Sequence, residues 1–210
     1  LMRRGPIWDW VALPFAWSRL IRFVDNQDLV GLREVVLEVL GTPDPRFELE
    51  TDKRWAARIY DKVHPYSHAL RKGLAETIAL IVVYGRDAEG LPAQSFAAGV
   101  VRELLDGDQF PLQPTWQSLS PYLPDLAEAA PGAFLSCVDK LLADREAALA
   151  VFEEEGPMGR SPHTNLLWAL ERLAWSEDWL TRVVQILGDL AVLDPGGELA
   201  NRPASSIVQI

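Results

Sequence analysis

Three histidines and one cysteine are the residues of this chain with the most ready chemistry. His64 and His68 have the HxxxH spacing that sets two imidazoles on one helical face, as a zinc site needs. Pro65 pushes His64 out of the α region and splits the pair between a loop and a helix. Neither a glutamate beside His64 nor a third ligand accompanies them, so no metal site is assigned. His163 falls in the first turn of a helix opened by Ser161 and Pro162, near Asn165. A helix N-terminus can hold an anion and depress an imidazole pKa there. The preferred reading is a polar first-turn residue packed against a loop; the alternative is an enzyme with an all-α site around His163, Asn201 and Arg202. Cys137, near Phe134 and Leu141 on a helix, reads as a buried inert thiol.

Two further motifs invite chemistry and receive structural readings. Asp194-Pro195-Gly196-Gly197 lacks the Lys-Ser/Thr sequel of a phosphate loop and follows no strand, so it reads as a helix stop. Asn201 and Arg202 just beyond it are expected to tie the turn back to the preceding helices. Asp194, Gly196, Gly197, Asn201 and Arg202 together form the candidate structural turn. Glu153 to Glu155 reads as a solvated helix end, not as paired catalytic carboxylates. No catalytic, cofactor-binding or metal-ligating residue is assigned, and no cofactor is expected.

The elements that would position these groups are clearest between Ser161 and Leu193, two helices with a one-turn break at Ser176. Leu166, Ala169, Leu170, Leu173 and Ala174 gather on one face of the first, the stripe a helix buries. Trp168 and Trp175 fall on nearly the opposite face beside Glu171 and Arg172, which marks these four as a candidate partner surface or interlayer contact, with simple core burial as the competing reading. The other tryptophans, of eight in all, are mostly expected in the core. Ser176 is placed to cap the second helix, with Glu177 and Asp178 in its first turn. Its apolar stripe is wide: Trp179, Leu180, Val183, Val184, Ile186, Leu187, Leu190 and Ala191.

Earlier in the chain the same design recurs. Trp8, Trp10, Val11, Leu13, Phe15 and Trp17 make an aromatic stretch interrupted by Pro14, before a helix from about Ala16 to Val24. A helix from Leu29 stops at a C-cap glycine, Gly41. Thr51 is expected to cap a helix carrying Trp55, Ala56, Ile59 and Tyr60, and Ser67 one that runs to Tyr84. The end of that helix, ETIALIVVYG, is apolar nearly all round and is expected to be buried on several sides. Pro92 opens a helix ending at Asp106-Gly107. Prolines divide 110–131 into short turns, with Asp125 and Glu128 as a capping box and Pro131 as the first residue of the next helix. Arg145 to Phe152 is a further short helix, 156–161 a Gly/Pro loop, and Ala204 to Ile210 the start of a last helix. Alternating patterns are absent, so no strand is expected.

The chain therefore reads as all-α with roughly ten helices. The expected architecture is an irregular HEAT-like solenoid of antiparallel helix pairs, a single module over 1–210, with a compact multi-helix bundle as the alternative. The 210 residues carry a formal net charge of -10 and no basic run, which disfavours nucleic acid. A lone cysteine allows no internal disulfide and fits a reducing cytoplasm. The most apolar run, Ile78 to Tyr84, is far short of the roughly 20 residues of a membrane span, so no membrane contact is expected. Leu1 precedes the first Met, and 210 lies within an apolar helix, which suggests a piece of a longer polypeptide.

The run SPHTNLLWALERLAWSEDWLTRVVQILGDLAVLDPGGELANRPASSI, with LREVVLEVLGTPDPRFEL and LRKGLAETIALI, resembles the C-terminal helical region of large bacterial multidomain proteins. Several of these look like STAND-type signalling ATPases or anti-phage defence proteins. No Walker A motif occurs in this sequence. The resemblance implies a helical-repeat module that senses, binds or positions, attached to a catalytic domain elsewhere. The expected function is thus non-enzymatic, a protein-protein interaction or sensor module whose partner is another protein or another domain of the parent chain. A purely structural spacer is the third reading.

Overall fold

Helix boundaries in this chain are set by short-range capping where the sequence provides it and by tertiary contacts elsewhere. The computed structural model describes residues 12–86, 90–155 and 161–210 in full, together with the backbone of 2–4 and 7–9. The side chains of Trp8, Trp10 and Val11 and the loop residues 87–89 and 156–160 lie outside the described residues. Pro14 sits in the first turn of α1 (Leu13–Leu20), where its missing N–H costs nothing, so the helix begins three residues before the expected Ala16. Asp25 and Asp28 form a reciprocal capping box at the start of α2 (Asn26–Gly41). Ser67 caps α3 (His68–Gly85) by accepting from the Leu70 N–H at 3.2 Å.

The remaining helices are α4 (Ala93–Leu105), α5 (Leu112–Leu119), α6 (Leu123–Ala129), α7 (Pro131–Ala143), α8 (Arg145–Ala150), α9 (Pro162–Ala174), α10 (Glu177–Leu193) and α11 (Pro203–Gln209). The described residues are all-α, as the sequence indicates, save for one short pairing near the N-terminus. Met2–Arg4 (β1) and Ile7–Asp9 (β2) pair antiparallel, with Arg3 opposite Trp8. Strands of three residues are too short to show the alternation by which a strand is read.

The helices pack in two rows. α3, α6 and α9 lie side by side in one, and α2, α4, α7 and α10 follow one another in the other; α3 touches α4, α6 touches α7 and α9 touches α10 across the gap. One continuous apolar core fills that gap from Val36 to Leu190. At its centre Trp116 is fully buried, tilted against Phe134 at 5.9 Å, and donates its indole N–H to the Leu105 carbonyl at 3.1 Å. Cys137 is buried in the same core, where burial pushes its thiol up to about 11 and leaves it unreactive at neutral pH.

Several local expectations are overturned by tertiary contacts. No helix follows Thr51: a single 3-10 turn, Arg54–Ala56, is formed, and Asp61 stops the segment in the left-handed region. Arg54 is drawn inside, which turns Trp55, Ile59 and Tyr60 out to solvent. Gly41 is the last residue of α2, with Thr42 in extended backbone after it, and so is no left-handed C-cap; the Phe110 ring lies where a Cβ would stand. Asp125 caps nothing: α6 starts two residues before it. The last turns of α3 bury Ile78 and Ile81 but leave Val83 half-exposed. In α10 only Val183, Ile186, Leu187 and Leu190 of the wide stripe are buried.

Replacing a fully buried Trp leaves both a large void and an unsatisfied carbonyl. Trp116→Ala is therefore expected to lower the unfolding free energy by about 3–5 kcal/mol in urea titrations, with Phe134→Ala in the same range.

Candidate functional site

The outer face of α9 is organised by what its charged residues do. Arg172 forms an ion pair with Glu128 of α6, and Glu171 accepts a hydrogen bond from the Ser206 hydroxyl of α11 at 2.6 Å. Both charges are thus tied sideways into neighbouring helices, and the two tryptophans one heptad apart on this face are left uncovered. Trp168 is 52% and Trp175 89% exposed. Neither belongs to the core, whose stripe on α9 is Leu166, Ala169, Leu170, Leu173 and Ala174 as the spacing indicates.

Beside Trp168 opens a cavity of about 360 Å³. The first two turns of α9 form one side of it, through Pro162, Thr164, Asn165 and Trp168; Leu199, Pro121 and Ser120 close others, and Arg46 and Glu155 supply charge. Glu155 is only 7% exposed. Arg54 Nη1 lies 3.5 Å from its Oε1 and Arg46 Nη1 lies 3.7 Å from its Oε2, both beyond good hydrogen-bond distance. Burial pushes the Glu155 carboxyl above its ordinary range, with Arg46 and Arg54 pulling the other way. Around it runs a balanced network: Arg54 donates to Glu153 at 2.6 Å, and Asp44 faces Arg46 at 3.6 Å and Arg71 at 3.9 Å. Gln117 adds donors to the Ala150 carbonyl at 3.0 Å and to Glu153 at 3.1 Å.

Glu153 to Glu155 is consequently no solvated helix end. α8 stops at Ala150, and the three carboxylates leave it in different directions. The middle one, Glu154, accepts the backbone N–H of Glu198 at 3.0 Å and of Leu199 at 3.4 Å, and lies 3.4 Å from Arg202 Nη2. Arg202 Nη1 lies 3.4 Å from Asp194, whose carboxylate also accepts the Gly196 N–H at 2.9 Å. Gly196 is left-handed (φ 76), and a Cβ on Gly197 would overlap both the Glu154 carboxylate and the Arg202 guanidinium. The structure thus brings Asp194, Gly196, Gly197 and Arg202 together over Glu154, a partner that local sequence could not indicate.

Asn201 contributes its backbone. His163 Nε2 meets the Asn201 carbonyl at 2.9 Å and Nδ1 meets the Ser161 hydroxyl at 2.6 Å; that hydroxyl also lies 3.0 Å from the Val151 carbonyl, to which the His163 amide donates at 2.8 Å. Ser161 accordingly makes no side-chain cap for α9. A serine hydroxyl on an imidazole has the distance of a nucleophile and its base. This imidazole, however, is 1% exposed, stacked on Phe152 at 5.1 Å and engaged at both nitrogens. Its contacts join the end of α8, the start of α9 and the C-terminal turn as a clamp, and Ser161 also lines the cavity beside Trp168.

The other histidines do not converge. His64 accepts the Tyr66 N–H at Nδ1 (3.0 Å) and meets the Thr42 carbonyl through Nε2 (3.1 Å), while His68 bonds the Tyr122 hydroxyl at 2.9 Å. Among the described residues no cluster of His, Cys, Asp and Glu could hold a metal ion, and no helix is long and apolar enough to cross a membrane. A scan against protein-family models finds no match, and searches of curated proteins and of solved structures find none either.

Two outcomes test the clamp. Gly197→Ala is expected to cost about 1–3 kcal/mol of stability, because the new methyl group displaces an ion pair. Burial lowers the His163 pKa in the folded state below its value in the unfolded chain, with Arg202 adding to the shift. The unfolded chain therefore binds the extra proton first. The contribution is complete above about pH 6.5, the ordinary imidazole value, and is lost as pH falls through the folded value. Denaturant midpoints should drop on acidification from pH 7, and the part of that drop due to this residue should vanish in His163→Asn.

Proposed function

We propose that this chain is a non-enzymatic protein-binding module, with the Trp168–Trp175 face of α9 as its contact surface. The observation that carries the reading is the pair of exposed indoles, 52% and 89% accessible, one on α9 and the other seven residues on at its C-cap, with the intervening charges already engaged. Aromatic residues held on a fixed scaffold lose little entropy on binding and dominate interface energetics. The two-row packing of α3/α4, α6/α7 and α9/α10 favours an irregular HEAT-like solenoid over a compact bundle, an architecture that offers extended faces of this kind. The resemblance to the helical regions of bacterial STAND-type and anti-phage proteins supports reading this chain as a module of a larger cytoplasmic signalling or defence protein, with the partner another protein or another domain of that chain. The net charge of -10 argues against nucleic acid as the partner.

The enzymatic alternative around His163 has against it the sealed imidazole, and a mere spacer has no use for uncovered tryptophans. Trp175→Ala removes only exposed surface, so its stability should stay within about 0.5 kcal/mol of the parent. The immobilised chain, incubated with lysate of the source cells and compared by quantitative mass spectrometry, should retain a protein that Trp168→Ala and Trp175→Ala release. Equal retention by all three would remove this surface from the proposal.

A further inference from the structure

We propose that the cavity beside Trp168 is an anchor pocket for an aromatic side chain bearing a neutral hydrogen-bond donor, a tyrosine or tryptophan of the partner polypeptide. The proposal rests on the protein-binding reading and specifies what enters that site. Three observations select the occupant. First, the pocket's size of about 360 Å³ and its Trp168, Pro121, Pro162 and Leu199 walls suit a flat apolar ring. Second, the buried Glu155 carboxylate has no hydrogen bond at either oxygen among the described residues, since its two arginine neighbours stay at 3.5 and 3.7 Å. Its Oε1 is buried and unpartnered, and Glu155 is one of the residues that line the cavity, so a donor seated there can approach its carboxylate. A buried carboxylate whose guanidinium partners stand at 3.5 and 3.7 Å is under-satisfied, and an O–H or N–H delivered by a ligand relieves that cost.

Third, the surrounding charges choose between ligands. Among the described residues Asp44, Glu153 and Glu155 are balanced by Arg46, Arg54 and Arg71, so a cationic or anionic group would leave this network with an uncompensated charge. A phenol or indole meets the need for a donor without adding charge. The half-exposed ring of Trp168 stands at the cavity wall, where an incoming ring can pack against it. Phenylalanine fills the same space but leaves Glu155 as it was.

The test uses N-acetyl-tyrosinamide, N-acetyl-tryptophanamide and N-acetyl-phenylalaninamide titrated into the whole chain and followed by ligand-observed NMR. The tyrosine and tryptophan amides should bind about tenfold tighter than the phenylalanine amide, the worth of a hydrogen bond to a charged group. Trp168→Leu, at a half-exposed position where folding is not at stake, should weaken both. Leu199→Trp, which fills the cavity from its rim, should abolish binding, and Glu155→Gln should shrink the preference over phenylalanine. Equal affinity for all three amides, or binding that survives Leu199→Trp, overturns the pocket. Retention of a protein that is lost in Trp175→Ala but kept in Leu199→Trp overturns the pocket and leaves the surface reading standing. Discrimination among the amides with no protein retained at all overturns the protein-binding reading on which the occupant rests.

Discussion

Three consecutive glutamates hold this molecule together by pulling three distant segments to one place. Glu153 takes Arg54 from a segment 99 residues earlier in the chain, Glu154 takes the C-terminal turn, and Glu155 sits between Arg46 and Arg54. The non-helical path after α8 lets adjacent side chains diverge in this way. The consequence is that the N-terminal loop 44–56, the middle of the chain and the turn before α11 are fixed relative to one another at a single point. The cavity beside Trp168 exists because those segments meet there.

Charge burial on this scale does not add much stability by itself, because desolvation of each group offsets most of the attraction between them. Its effect is on position. Arg54 is 7% exposed and committed to a carboxylate and to the Leu49 carbonyl at 3.1 Å, so the 3-10 turn that carries it has one orientation. That orientation exposes Trp55 and Ile59. Similarly, His163 and Arg202 fix the C-terminal turn from two sides, which sets where Leu199 stands at the cavity's edge. The apolar core supplies the stability, through Trp116, Phe134 and the leucines around them; the ionic point supplies the register.

Much of the fold was readable locally because helix signals are short-range. Ser67, Pro92 and Pro131 mark helix starts to within a residue, and the break between α9 and α10 falls at Ser176. The α9 stripe follows from its spacing, and so does the placement of Trp168 and Trp175 opposite it. Readings failed where a residue's best partner lies far along the chain. Thr51 and Trp55 follow a helical pattern, yet Arg54 is turned inward to Glu153 and a single 3-10 turn is formed in place of a helix. Gly41 looked like a left-handed cap, but what it provides is room for Phe110. Ser161 and Asp125, both sound capping residues by type, are used otherwise or not at all.

The candidate site divides along the same line. Sequence alone determined that the chain is all-α, that α9 has one buried face and one bearing two tryptophans, and that Asp194 to Arg202 makes a turn, because periodicity and breaker chemistry act within a few residues. Only the tertiary structure decided that Trp168 and Trp175 stay uncovered, with Glu128 and Ser206 engaging the charges between them. It alone decided that Glu154 lies under the turn and that Glu155 faces a cavity. Electrostatic and hydrogen-bond partners act through space, and nothing in the spacing of letters reports which carboxylate will meet which guanidinium.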